Sequence, residues 1–132
     1  MIKYFTILPV IVFPQTYTNS FMNSQNSRTN FKQELAQAEM ARKEGNEGKA
    51  RVCARRAAGI VIGEYLTRRG ITDLSTSSID RLKYFSSLSD ITQQERKSCE
   101  HFLVHVNPDH NLPVDAELIA EARWLKRELN SK

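Results

Sequence analysis

Between Lys49 and Leu66 the chain runs Lys-Ala-Arg-Val-Cys-Ala-Arg-Arg-Ala-Ala-Gly-Ile-Val-Ile-Gly-Glu-Tyr-Leu, and this stretch constrains the fold more than any other. Ala50, Cys53 or Ala54, Ala57, Val61 and Tyr65 recur at three- and four-residue steps, the period of one face of an α-helix. Gly59 and Gly63 lie four apart on a flanking face, where missing side chains let another element approach the backbone closely. A helix with small residues on two faces is expected at the centre of a bundle. Charge concentrates here too. From Asn46 to Arg69 six basic residues, Lys49, Arg51, Arg55, Arg56, Arg68 and Arg69, face two acids, Glu47 and Glu64, and that surplus equals the net charge of the whole chain, +4. The other segments together are neutral, so a basic ridge is predicted on the second helix, with an anionic partner or a merely solvated face as its two readings.

At 132 residues the chain is long enough for one core and short for two. Its 40% hydrophobic and 26% charged residues are ordinary globular proportions, so a packed core is expected. Cys53 and Cys99 each fall inside a helical pattern without CxxC or Cys/His spacing, which predicts buried free thiols rather than a zinc or redox site. Met1 to Phe13 carries Lys3 and an apolar run broken by Pro9, like a poor signal peptide; the run is too short to span a bilayer, and Gln15 to Asn26 offers no Ala-x-Ala cleavage site. The expectation is a cytoplasmic protein with no membrane association. Residues 1–28 read as an extension outside the fold, with Met22 an alternative start, and 29–130 as the domain.

Thr29 or Asn30 is predicted to cap a first helix with Phe31, Leu35, Ala38 and Ala41 or Met40 inward, ending at Gly45. Asn46 caps the second, and so short a link makes the two antiparallel. The second helix ends at Gly70. Ser77 or Ser78 opens a third with Ile79, Leu82 and Phe85 inward and Arg81 and Lys83 outward. Thr92 and Glu95 form a capping box for a fourth, with Cys99, Phe102, Leu103 and Val106 inward, stopped by Asn107-Pro108. Asp115 caps a last helix in which Ala116, Ile119, Ala120, Ala122 or Arg123, and Trp124 or Leu125 repeat at helical spacing. Strand patterns, internal repeats, Gly-rich phosphate loops and GxSxG motifs are all missing, so the prediction is an all-α, up-and-down bundle of about five helices.

Ala38, Gly45, Ala50-Arg51, Ala54-Arg55-Arg56-Ala57-Ala58 and Tyr65-Leu66 resemble the opening helix pair of HEPN domains. Val106-Asn107-Pro108-Asp109 followed by Asp115 to Leu125 is similar to that family's late loop and closing Ala-rich helix, and the likeness covers about residues 30 to 129. HEPN domains are small helical bundles associated with nucleotidyltransferases, toxin-antitoxin modules and RNA cleavage. The resemblance implies a homodimer, RNA or a nucleotide as ligand, and a nucleotidyltransferase-like protein as partner. In active members an Arg followed after four to six residues by His forms a metal-independent ribonuclease pair; here Arg96 and His101 match the spacing, with Lys97 where Asn is common. On that reading His101 would handle the ribose hydroxyl proton and Arg96 the phosphate charge.

Helical geometry sets Arg96 and His101 about 500° apart, roughly 140° off a shared face, so they converge only across an interruption or a second subunit. His101 and His105 have the i, i+4 spacing of zinc helices but lack the Glu of HExxH, and a third ligand would have to be Asp109 or His110. No metal and no cofactor are expected. Arg51, Arg55 and Arg56 are the candidate phosphate contacts; the structural alternative pairs Arg55 and Arg56 with carboxylates such as Glu39, Glu117 or Glu121. Arg68 and Arg69 answer the helix dipole. Three functions remain open: a nucleotide- or RNA-associated binding module, a metal-independent ribonuclease, and a protein-protein interaction module.

Overall fold

The computed structural model describes residues 27–105 and 116–132. It is all-α, with α1 (Ser27–Lys43), α2 (Glu47–Arg68), α3 (Ser78–Ser86), α4 (Gln93–Leu103) and α5 (Leu118–Asn130), and no strand among the described residues. The proposed alternative start at Met22, the loop Val106 to Asp109, His110 and Asp115 lie outside the described residues, as does most of the proposed extension 1–28.

Helix ends follow local chemistry. After α1, Gly45 takes φ +83°, and the amides of Gly45 and Asn46 donate to the carbonyls of Arg42 and Ala41. After α2, Gly70 takes φ +87°, with Gly70 donating to Thr67 and Ile71 to Leu66. Both are Schellman closures, which need the left-handed conformation that glycine adopts most cheaply. Asn46 caps α2 by accepting from the Lys49 amide at 3.1 Å. The capping box of α4 is formed in both directions, Glu95 N to Thr92 Oγ1 at 3.0 Å and Thr92 N to Glu95 Oε1 at 2.9 Å.

Three boundaries differ from expectation. Helix α1 begins already at Ser27, ahead of Thr29 and Asn30. Helix α4 stops at Leu103, where Val104 turns extended, short of Asn107-Pro108. Glu117, rather than Asp115, caps α5, accepting from the Ala120 amide at 2.7 Å.

Helix α2 is central: it packs against α1, α3 and α5, while α4 closes against α3 and α5. Eleven of its residues are buried, Ala50, Cys53, Ala54, Ala57, Ala58, Gly59, Val61, Ile62, Gly63, Tyr65 and Leu66. Around it lie Phe31, Leu35 and Ala38 of α1, Leu82 and Phe85 of α3, Cys99 and Phe102 of α4, and Leu118, Ile119, Ala122, Leu125 and Leu129 of α5. Each fully buried large apolar side chain contributes about 1.5–3 kcal/mol of transfer free energy. Of the alternatives Ala41 and Met40, Ala41 is the buried one and Met40 is 61% exposed; two expected core positions face out instead, Ile79 at 40% exposed and the exposed Ala120. A helical stripe is narrower than the run of apolar letters along it.

Gly59 and Gly63 serve the expected close approach, each with its own neighbour. A carbon added at Gly59 would meet the first turn of α3, with Ser78 Cα at 2.9 Å. One added at Gly63 would meet the Arg81 guanidinium, with Cζ at 2.8 Å. Gly59→Ala is therefore expected to destabilise the fold by about 1–3 kcal/mol in a urea titration. Gly48→Ala, whose added carbon meets only Asn46 Oδ1 at 3.9 Å, is the control and should gain up to about 1 kcal/mol from helix propensity.

Candidate functional site

Several charged side chains of the bundle are spent on one another. Arg42 pairs with Glu47 at 2.8 Å and also with Glu117, Arg69 with Asp90 at 2.7 Å, and Arg123 with Glu39. Glu121 takes His101, its oxygens 2.8 and 2.9 Å from the ring Nδ1. The carboxylates expected to neutralise Arg55 and Arg56, namely Glu39, Glu117 and Glu121, thus all serve other residues.

Arg55 is half-buried, and its Nε donates to the Phe102 carbonyl in the last turn of α4 at 3.1 Å. Arg81, expected to point outward, instead lies half-buried across Gly63 and donates to the carbonyls of Ser75 at 2.7 Å and Gly59 at 3.2 Å. The Gly59 carbonyl already accepts the i+4 amide of Gly63, and the absence of a Gly63 side chain opens its second lone pair to the guanidinium. Burial pulls both groups below the usual guanidinium pKa, so holding them charged costs solvation. Neither has a carboxylate partner among the described residues. Arg56 is the exposed member: 58% of its side chain is open, and its Nη1 is 3.9 Å from Glu34 Oε1, an ion pair without a hydrogen bond.

These three arginines line one groove of about 390 Å³ between α1, α2 and the start of α3. Thr76, Ser77 and Ser78 are among its lining residues, and Val52, Ile60 and Ile79 give it apolar surface. Helix α3 enters with its first turn, where Ser77 caps the Asp80 amide at 3.3 Å. Glu34 is the acid of the lining. Asp80 lies close in sequence but accepts from the Ser75 hydroxyl at 3.0 Å. A second groove, about 380 Å³ between α1 and α5, carries Lys32, Arg123, Lys126 and Arg127 with Glu39; there Arg123 is paired with Glu39, and Lys126 covers the Phe31 ring at 4.7 Å.

Of the predicted phosphate contacts, Arg55 and Arg56 come together in the groove, while Arg51 sits half-buried one turn earlier on α2, helps hold the Glu47 carboxyl below its usual range, and is not part of the lining. Arg81 is the member that sequence reasoning missed. Its only signal was the Gly59/Gly63 spacing, which announces a close neighbour without naming it.

Arg96 and His101 are not brought together within the chain. Helix α4 runs through both without interruption. Arg96 donates to the Ser86 carbonyl and, at 3.2 Å, to that of Leu88, tying the end of α3 to the start of α4, whereas His101 turns to α5. Because α4 ends at Leu103, the exposed His105 lies beyond the helix and loses the i, i+4 relation to His101. Among the described residues, no group of three or more His, Cys, Asp or Glu side chains is placed to hold a metal. Arg68 and Arg69 look past their own helix end: Arg68 donates to the Leu129 carbonyl of α5 at 2.8 Å, and Arg69 reaches Asp90 and the Tyr65 hydroxyl. Cys53 and Cys99 are free and buried, as expected.

No family model, curated protein or solved structure matches this chain. Among the described residues, no helix is long and apolar enough to cross a membrane.

Two tests bear on the assigned roles. Removing the Arg96 guanidinium leaves the Ser86 carbonyl at the end of α3 and the Leu88 carbonyl just beyond it without their charged donor, so Arg96→Ala is expected to lower thermal and urea stability, by about 1–3 kcal/mol. Burial pushes the Cys99 thiol up to about 12, so at pH 8 it should react with iodoacetamide only as fast as the protein opens, and denaturant should release the block.

Proposed function

We propose that this chain is a HEPN-type binding module whose groove between α1, α2 and α3 takes an anionic group of RNA or of a nucleotide. One observation carries the reading. Two half-buried arginines, Arg55 and Arg81, are held by neutral carbonyls and line the same groove as the exposed Arg56. Carbonyls orient a cation without cancelling its charge, so the groove keeps a positive field in a partly desolvated place, where a bound anion gains most. The antiparallel α1–α2 pair and the Ala-rich closing helix support the family resemblance. With that resemblance come a homodimer, a nucleotidyltransferase-like partner and a cytoplasmic setting as parts of the proposal.

The test is titration of a fluorescent RNA and of a nucleotide at several salt concentrations. Arg56→Ala, at an exposed site, should weaken binding about tenfold without loss of stability and flatten the salt dependence. Glu34→Gln should strengthen binding, about threefold to tenfold, by removing the carboxylate that competes for Arg56. Gly63→Ala should weaken it by pushing the Arg81 guanidinium out of position. Unchanged affinity across all three variants would place any binding elsewhere.

A second reading rests on the His101–Glu121 pair. A carboxylate on Nδ1 sets the tautomer and leaves Nε2 to accept a proton, the arrangement a general base uses. Arg96 is engaged with carbonyls, so a phosphate-binding partner for His101 would have to come from a second subunit. Cleavage of a labelled RNA pool that resists chelator and vanishes in His101→Ala is the expected mark of this ribonuclease.

A further inference from the structure

We infer that the groove is matched to a terminal phosphate, a phosphomonoester carried by a free mononucleotide or by the phosphorylated end of an RNA strand, rather than to the internal diesters of a strand. The inference rests on the anion-binding reading above and specifies its ligand.

Charge balance is the first argument. Among the described residues Arg55, Arg56 and Arg81 bring three positive charges to the lining and Glu34 one negative, a net of +2. A phosphomonoester near neutral pH carries about −1.5 to −2, whereas an internal diester carries a single charge. Donor placement is the second. Among the described residues Arg55 uses only its Nε and Arg81 leaves its Nη2 unused, so N–H donors from two helices remain for one ligand. The first turn of α3 adds the amides of Ser78 and Ile79, which have no intrahelical acceptor. The three terminal oxygens of a monoester present acceptors in more directions than the two free oxygens of a diester, which suits donors that come from two helices.

Shape is the third argument. At about 390 Å³ the groove falls at the small end of small-molecule sites, room for a phosphate and the unit attached to it. Its apolar wall is aliphatic, from Val52, Ile60 and Ile79, and among the described residues no aromatic side chain lines it. A single-strand track instead spaces its cations along the backbone and stacks successive bases on aromatic rings.

The experiment uses the full chain and its Arg56→Ala variant, with unfolding curves to confirm that both are folded. Binding is measured for adenosine 5′-monophosphate, adenosine, and one short RNA phosphorylated at its 5′ end, at its 3′ end or at neither. The expected result is that at least one phosphorylated ligand binds about tenfold or more tightly than its unphosphorylated counterpart, and that Arg56→Ala removes most of that difference. Preference for the monophosphate over adenosine identifies a free nucleotide as ligand; preference confined to a phosphorylated strand identifies the RNA end. Equal binding of all three RNAs, weakened by Arg56→Ala, would overturn the terminal-phosphate inference and leave the groove as a nucleic-acid contact. A phosphate preference untouched by Arg56→Ala would overturn the assignment to this groove. No binding of any probe would overturn both readings.

Discussion

The rest of this structure depends on the thinness of α2. A run of Ala, Gly and Cys side chains gives that helix a narrow body, so α1, α3 and α5 can all approach it. Close approach removes water from nearly every face, which is where the hydrophobic stabilisation of so small a bundle arises. It also dictates where the charges of α2 can go. Long basic side chains cannot cross the packed faces, so they leave at the seams between neighbours: Arg55 toward α4, Arg56 toward α1, Arg68 toward the end of α5.

The arginines consequently divide into two groups with different electrostatics. Arg42, Arg69 and Arg123 meet carboxylates near the surface, and their fields are largely cancelled and screened. Arg55, Arg68, Arg81 and Arg96 meet backbone carbonyls, those of Phe102, Leu129 and Ser86 at helix ends, which have acceptors left over, and those of Ser75, Leu88 and Gly59 elsewhere. This second arrangement ties helices together while leaving the positive charge intact. Only Arg55 and Arg81 among the carbonyl-bound four line a common groove, and the juxtaposition of structural arginines there is what makes the surface chemically distinctive.

A similar trade occurs at Glu95. Its carboxylate is fully buried, with Oε1 accepting from the Thr92 amide and from Lys132 at 2.8 Å, while Oε2 has no hydrogen-bond partner among the described residues. Lys132 also lies over the Tyr65 ring, 5.8 Å from its centroid. The capping box thus carries an ion pair into the interior, where losing one partner would cost more than the intact pair contributes.

By itself the sequence determined the helices, the Gly45 and Gly70 stops, the Asn46 cap, the Thr92/Glu95 box and the central position of α2. All of these follow from interactions within a few residues or from a periodicity that one helix must satisfy alone. Arg55 and Arg56 were legible as candidate phosphate contacts for the same reason, being basic neighbours on an otherwise small-residue helix. Only the tertiary structure decided which side chain fills the notch at Gly63, that Ile79 faces outward, and that α4 ends before His105. It also decided that Glu39, Glu117 and Glu121 are taken by Arg123, Arg42 and His101, and that Arg96 and His101 turn to different elements. Partner choice among charges depends on distances between helices distant in the chain, and several acids and bases of equal local merit compete for each pairing. Packing settles that competition, and residue spacing along one helix carries no record of it.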